Sequence, residues 1–271
     1  MAAADVGVTF LDTAGLYNNY EAIALALKQR PELVVATKTY DYTADGLVAS
    51  LERALSALGR DYVDIYLLHE QESAQTIRGH WEAIEQLLVA RAAGRVRAIG
   101  LSTHHVAGVR AMLDFPELDV VHPIINREGI GIADGSIDEM LGAVRAVHAA
   151  GVGVYAMKAL GGGHLAGEAA EALRFVADLR YVDSIAVGAG TVEEIAYNAA
   201  LLSGERLPAP PPVHGKRLQV ADWCRGCGLC VARCPHQALE LVGGKAAVRP
   251  ERCVLCAYCA PVCPDFCLKV F

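Results

Sequence analysis

Eight cysteines recur in two runs of one spacing. The first reads Cys224-x-x-Cys227-x-x-Cys230-x-x-x-Cys234-Pro235, and 29 residues on comes Cys253-x-x-Cys256-x-x-Cys259-x-x-x-Cys263-Pro264. Three thiolates this close wrap three corners of an iron–sulfur cube, and in paired runs the fourth cysteine ligates the neighbouring cluster. The spacing therefore predicts two [4Fe–4S] clusters. One is held by Cys224, Cys227, Cys230 and Cys263, the other by Cys234, Cys253, Cys256 and Cys259. Zinc bound by two separated Cys-x-x-Cys pairs has no use for the third close cysteine. A disulfide framework does not call for such regularity. The ninth cysteine, Cys267, stands at the same displacement from Ala238, so it reads as a small buried apolar position rather than a ligand.

A second set of chemically able residues lies far from the cysteines. Successive apolar runs end in Asp12-Thr-Ala, Ala36-Thr-Lys38 and Leu67-Leu-His69, with Tyr17 in the loop after the first. A lone lysine at a strand end more often makes a surface ion pair. Polar groups delivered to one rim by adjacent strands favour a site instead. A tyrosine of pKa ~10 is a poor acid at neutral pH. An ammonium beside it favours the phenolate, so Lys38 is expected to lower the pKa of Tyr17. Asp12 would hold and neutralise Lys38, and His69 would hydrogen-bond a carbonyl oxygen. Such a set suits protonation of a developing alkoxide.

The elements that must position these groups alternate. Strands are predicted at 8–14, 33–38, 63–69, 98–103, 120–126, 153–158 and 184–189, mostly continuous apolar runs of the kind buried on both faces of a parallel sheet. Helices are predicted at 21–29, 44–58, 77–93, 106–114, 137–150, 166–179 and 192–202, with Thr43 and Thr191 as N-caps and Gly94 and Gly151 at C-caps. Seven βα units in succession point to an α/β fold, a (β/α)8 TIM barrel lacking its first βα unit, with a doubly wound sheet as the rival. Residues 2–6 read as the last turn of a helix. Three successive prolines in 207–213 make a stiff spacer. The chain thus divides into a barrel (1–206), a Pro-rich linker (207–213) and a small α+β module (214–271) whose apolar stretches 238–242 and 268–271 could pair as strands.

Asp12, Tyr17, Lys38 and His69, in this order at strand ends, resemble the catalytic tetrad of the aldo-keto reductases. Phe10-Leu-Asp-Thr-Ala, Tyr62-Val-Asp-Ile-Tyr-Leu-Leu-His69 and Gly94-Arg-Val-Arg-Ala-Ile-Gly-Leu-Ser102 resemble that family too, over roughly residues 1–205. The tail resembles the ferredoxin module, with two [4Fe–4S] clusters, fused to a bacterial and archaeal branch. The resemblance implies NADH or NADPH as hydride donor and a small aldehyde, ketone or alcohol as substrate. It makes Tyr17 the general acid, Lys38 its pKa modulator, Asp12 the orienter and His69 the carbonyl polariser. It also implies that Ser102, Asn126 and Lys158 contact the carboxamide side and pyrophosphate, with Gly161 and Gly162 letting backbone N–H groups approach a phosphate. The segment holding Gly188, Gly190, Thr191, Glu194 and Asn198 resembles the adenosine-phosphate segment before a helix N-terminus. Glu194 there would repel a 2′-phosphate, which favours NADH.

Hydride transfer moves two electrons together and a cluster passes one, so a second reading stands beside the reductase. It is a ferredoxin-type electron-transfer protein or subunit whose barrel binds a redox partner. A third makes the clusters structural staples. His104 and His105 read as pocket lining rather than metal ligands. Net charge is −7, divided into −11 before Val213 and +4 from Val213 on. The basic tail offsets thiolate-bound clusters, and the acidic body argues against nucleic acid. No 18-residue uncharged apolar stretch or signal peptide is present, so neither membrane insertion nor export is expected. Thiols placed only where a metal needs them fit a reducing, cytoplasmic setting.

Overall fold

The computed structural model describes residues 2–212 and 217–270. The last residue of the expected linker, Val213, lies outside them. So do 214–216 and Phe271 of the expected module.

Seven strands form one sheet in sequence order: β1 (Phe10–Asp12), β2 (Val34–Thr39), β3 (Val63–Leu68), β4 (Val96–Thr103), β5 (Val120–Pro123), β6 (Gly153–Met157) and β7 (Ser184–Ala186). Every pairing is parallel. Sequential parallel order with intervening helices curls the sheet into a nearly closed barrel, which sets aside the doubly wound alternative. Among the described residues no pairing joins β7 to β1.

Helix α1 (Ala2–Asp5) is the expected stub, and it packs against α9. The outer ring continues with α2 (Tyr20–Gln29), α3 (Ala44–Leu58), α4 (Ala74–Gly79), α5 (Trp81–Ala92), α6 (Val106–Ala111), α7 (Ile137–Ala149), α8 (Ala169–Ala177) and α9 (Val192–Ser203). Thr43 and Thr191 cap α3 and α9 by accepting the backbone N–H of Gly46 and Glu194. The single helix expected at 77–93 is two helices. The Ser73–Thr76 capping box starts α4 earlier, and His80, at φ −108° and ψ 18°, breaks it from α5.

Two apolar bodies hold the barrel. The larger lies between sheet and helices and includes Val35, Leu47, Leu51, Ile99, Val121 and Leu173. The smaller fills the barrel interior, where Ala36, Leu67 and Tyr155 are buried with Phe10, Ile65, Val120 and Ala186 against them. Phe10 and Tyr155 meet edge to face, centroids 5.0 Å apart, across the interior. This layer closes the barrel beneath the strand ends, so the polar groups above it stand on a packed floor.

The module contains β8 (Leu218–Val220), α10 (Leu229–Arg233), β9 (Leu239–Val242), β10 (Lys245–Val248) and β11 (Leu268–Val270). The expected pairing of 238–242 with 268–271 does not occur. Strand β9 pairs antiparallel with β10 across a Gly243-Gly244 turn, and β11 pairs with β8. The two-glycine turn makes the local hairpin available to β9 before any distant partner. No helix among the described residues is long and apolar enough to cross a membrane.

Candidate functional site

The carboxyl ends of β1, β2 and β3 bring the predicted tetrad together. Asp12 ends β1, Lys38 lies in β2, His69 follows β3, and Tyr17 closes a 3-10 turn after β1 (Gly15–Tyr17). Lys38 Nζ donates to Asp12 Oδ1 at 2.9 Å, to Asp12 Oδ2 at 2.7 Å and to the Thr13 carbonyl at 2.7 Å. These contacts use all three ammonium protons. The same Nζ lies 5.2 Å from the Tyr17 ring centroid, and the Tyr17 and His69 rings meet edge to face at 6.0 Å.

Sequence reasoning missed the floor of this group. Tyr155 on β6 donates its hydroxyl to Asp12 Oδ1 at 3.1 Å. His122 on β5 stacks on Tyr155 at 3.8 Å and contacts its carbonyl through Nδ1 at 2.6 Å. Both were hidden in apolar runs, where an inward tyrosine or histidine looks like core.

The expected lowering of the Tyr17 pKa by Lys38 is not found. Tyr17 is 42% exposed as a residue, yet burial of its hydroxyl raises its pKa, and Tyr258, Asp12 and Glu70 raise it further. The Lys38 charge is spent on Asp12 and Thr13, so the phenol stays protonated, the form a proton donor needs. Burial, helped by Lys38, pushes His69 down to about 2. His69 is therefore neutral, with Nδ1 buried and without a partner. A neutral imidazole can donate to a carbonyl oxygen without competing for the proton.

A second polar group adjoins the first. His69 stacks on Tyr40 at 4.3 Å, and Tyr40 donates to Glu70 Oε2 at 2.5 Å. His104 Nδ1 lies 3.3 Å from Glu70 Oε1, and Lys158 Nζ lies 2.8 Å from His104 Nε2. Glu70 (φ 51°) and Lys158 (φ 57°) both take the left-handed backbone at strand ends, a conformation costing about 1–2 kcal/mol per residue that marks functional rims. His236 of the module rests on His104, ring centroids 4.5 Å apart, with both ring nitrogens buried and unpartnered. Glu70, His104 and His236 stand close enough to share a metal ion, but the Lys158 ammonium on His104 opposes a cation there.

Of the residues implied for a dinucleotide, Ser102, Asn126 and Lys158 have their polar groups engaged within the chain. Ser102 Oγ accepts from the Glu70 N–H at 3.0 Å. Both ends of the Asn126 amide bond Ile130, at 2.9 Å each. Lys158 is held by His104. Gly161 and Gly162 lie in a short turn (Gly161–Gly163) against the module. A Cβ on Gly162 would stand 2.1 Å from the Val254 carbonyl oxygen, and one on Gly131 would stand 2.3 Å from Val254 Cγ1. Val254 is 3% exposed and belongs to the barrel core. His164 Nε2 contacts the Cys253 carbonyl at 2.5 Å. Gly188, Gly190 and Thr191 are exposed at the head of α9. There Glu194 accepts the Gly190 N–H at 2.6 Å, filling the anion seat with the chain's own carboxylate. Asn198 lies on α9, one turn beyond Glu194. In this arrangement the rim does not fit NADH or NADPH.

The cysteines do fit iron–sulfur clusters. Cys224, Cys227, Cys230 and Cys263 line one hollow, together with Cys267. Cys234, Cys253, Cys256 and Cys259 line another. All nine cysteines are unpaired. Backbone N–H groups point at the sulfurs: Ala246 at Cys224 (3.4 Å), Ala238 at Cys234 (3.3 Å) and Cys267 at Cys263 (3.2 Å). The last two contacts are one bond repeated at the 29-residue displacement, which gives Cys267 the structural place of Ala238. Burial pushes the Cys259 thiol up to about 12, so a positively charged metal is what would draw its proton off.

A barrel with a buried lysine–carboxylate pair at its carboxyl rim is thus joined to a cysteine-rich module. The aldo/keto reductase family model matches residues 1–201, and a 4Fe-4S dicluster domain matches residues 223–267. The chain belongs to the aldo/keto reductase family and carries an iron–sulfur domain. It is 32% identical over 117 residues to methylglyoxal reductase DkgA of Yersinia pestis, covering 41% of each chain. To the glyoxal reductase of Bacillus subtilis it is 30% identical over 132 residues, covering 46% of this chain and 45% of that one. It thus spans less than half the length of these curated relatives. Among solved structures, a Bacillus halodurans aldo-keto reductase shares the fold with a TM-score of 0.60 at 21% identity, covering 77% of this chain and 81% of that one. A Bombyx mori aldo-keto reductase, solved in complex with NADP, does so with a TM-score of 0.57 at 19% identity, covering 76% of each.

Proposed function

We propose that this chain reduces a small aldehyde or ketone, or oxidises the corresponding alcohol, at Asp12, Tyr17, Lys38 and His69, and that it carries two [4Fe–4S] clusters on the eight cysteines of its paired runs. The observation that carries the reading is the buried Lys38–Asp12 pair beside a protonated Tyr17 and a neutral His69. Tyr17, held protonated by burial, gives its proton to the developing alkoxide, and His69 holds the carbonyl oxygen. Asp12, itself held by Tyr155, fixes the lysine. When bound, the clusters supply one-electron carriage. The names of the curated relatives make α-oxoaldehydes the first substrates to try. Where a dinucleotide is admitted, Glu194 favours NADH over NADPH. Nine unpaired cysteines are in keeping with a reducing, cytoplasmic setting.

The second reading, an electron-transfer protein whose barrel binds a redox partner, is favoured by the seat of Val254 against Gly131 and Gly162. Anaerobic turnover separates the two. Chemically reduced protein is mixed with glyoxal or methylglyoxal, and loss of carbonyl is followed beside the cluster absorbance. Tyr17→Phe should abolish carbonyl reduction and leave the cluster bands unchanged. Carbonyl reduction that survives in Tyr17→Phe overturns the assignment. Cluster oxidation by an added carrier protein, without carbonyl loss, establishes the second reading instead.

A further inference from the structure

The loop 253–259 of the module lies where the barrel was expected to receive a dinucleotide. Val254 presses its backbone on Gly162 and its side chain on Gly131. The Cys253 carbonyl contacts His164 at 2.5 Å. Tyr258, farther along the same loop, lies near enough to Tyr17 and Tyr40 to raise their pKa values. His236 completes the seam on His104.

Three independent kinds of contact thus converge on one stretch of rim. Backbone packs on a glycine that tolerates no Cβ, an apolar residue enters the barrel core, and a phenol comes near Tyr17. Glycine is the one residue that lets another backbone approach this closely.

We propose that the loop 253–259 occupies the dinucleotide groove of the barrel, so that this chain, with its module docked, binds neither NADH nor NADPH and presents Tyr258 to the carbonyl pocket instead. The inference rests on the carbonyl reading above and names the class of reductant that goes with it. A carbonyl becomes an alcohol by gaining two electrons and two protons. With the groove filled, both electrons originate from a low-potential one-electron donor in solution, two equivalents per molecule reduced. The donor is oxidised, the carbonyl carbon is reduced, one proton comes from Tyr17 and the other from solvent.

The test is equilibrium binding to the anaerobic, cluster-loaded full chain, by calorimetry and by NADH fluorescence, for NADH and NADPH separately. No saturable binding is expected at millimolar dinucleotide. Val254→Asp, which puts a charge into the apolar seat, should release the loop and create saturable binding of at least one dinucleotide. If that variant does not hold its clusters, His164→Ala serves in its place, since it loosens the same loop from the barrel side. Saturable binding by the unsubstituted chain overturns the inference. Absence of binding by both the unsubstituted and the released chains also overturns it, because the loop would then be excluding nothing. Failure to reduce any carbonyl with any reductant overturns the functional reading by a separate measurement and leaves the binding result standing.

Discussion

Lys38 and Asp12 meet end on at the carboxyl rim of the barrel, with the ammonium 2.9 Å and 2.7 Å from the two carboxylate oxygens and the lysine 1% exposed. Removing either partner has a different effect. Lys38→Met should lower turnover about 100-fold or more by leaving the Asp12 carboxylate unbalanced beside the Tyr17 proton donor. Asp12→Asn strands a buried ammonium, so folding stability should fall by about 3 kcal/mol. Urea midpoints beside anaerobic turnover check both, and equal stability losses in the two variants would contradict the assignment.

Acid should destabilise the barrel through its buried histidines. Burial holds His69 down to about 2 and His122 down to about 4, against an ordinary value of 6.5. Below pH 6.5 the unfolded chain takes up protons that the folded chain refuses. Stability is therefore complete above 6.5 and is lost as pH falls, down to about 4 for His122 and about 2 for His69. Each histidine adds a slope of up to ~1.4 kcal/mol per pH unit. Urea midpoints at pH 7 and pH 5 should differ less in a His69→Gln, His122→Gln double variant. Activity should show no acid limb near pH 6.5 from His69.

Cys263 and Cys267, which both line the first hollow, should part company on substitution. Cys263→Ala removes a proposed ligand, so about half of the bound iron should be lost. Cys267→Ala keeps the backbone N–H that reaches the Cys263 sulfur at 3.2 Å, and iron content should not change. Iron and acid-labile sulfide assays on anaerobically loaded protein measure both. Iron loss in Cys267→Ala would make that residue a ligand after all.

Gly162→Val should be more costly than a surface substitution. The residue has φ 73°, and its added carbon would stand 2.1 Å from the Val254 carbonyl. Strain and displacement of the loop together should remove about 2 kcal/mol or more. Limited proteolysis should cut the variant faster between barrel and module.

The legible parts of this chain were those set by neighbours in sequence. Strands buried on both faces are apolar runs, so all seven were visible, although the ends were read too long at β1, β5 and β7. Thr43 and Thr191 announced their helices because a cap is a bond spanning three residues. The tetrad was legible as ionisable residues at the ends of such runs. What stayed hidden depends on distant contact. His236, Val254 and Tyr258 look like spacers between cysteines until the module is laid on the rim. Tyr155 looks like core until Asp12 is placed above it. The broken helix at His80 was missed because the apolar pattern runs on through the break, while the local capping box at Ser73 was the available signal.

Each cysteine run lends its last thiol to the hollow formed by the other. Neither hollow has its four thiols until both runs have been made and have found each other, so two clusters held in this way would be completed together, late in synthesis, rather than one after the other.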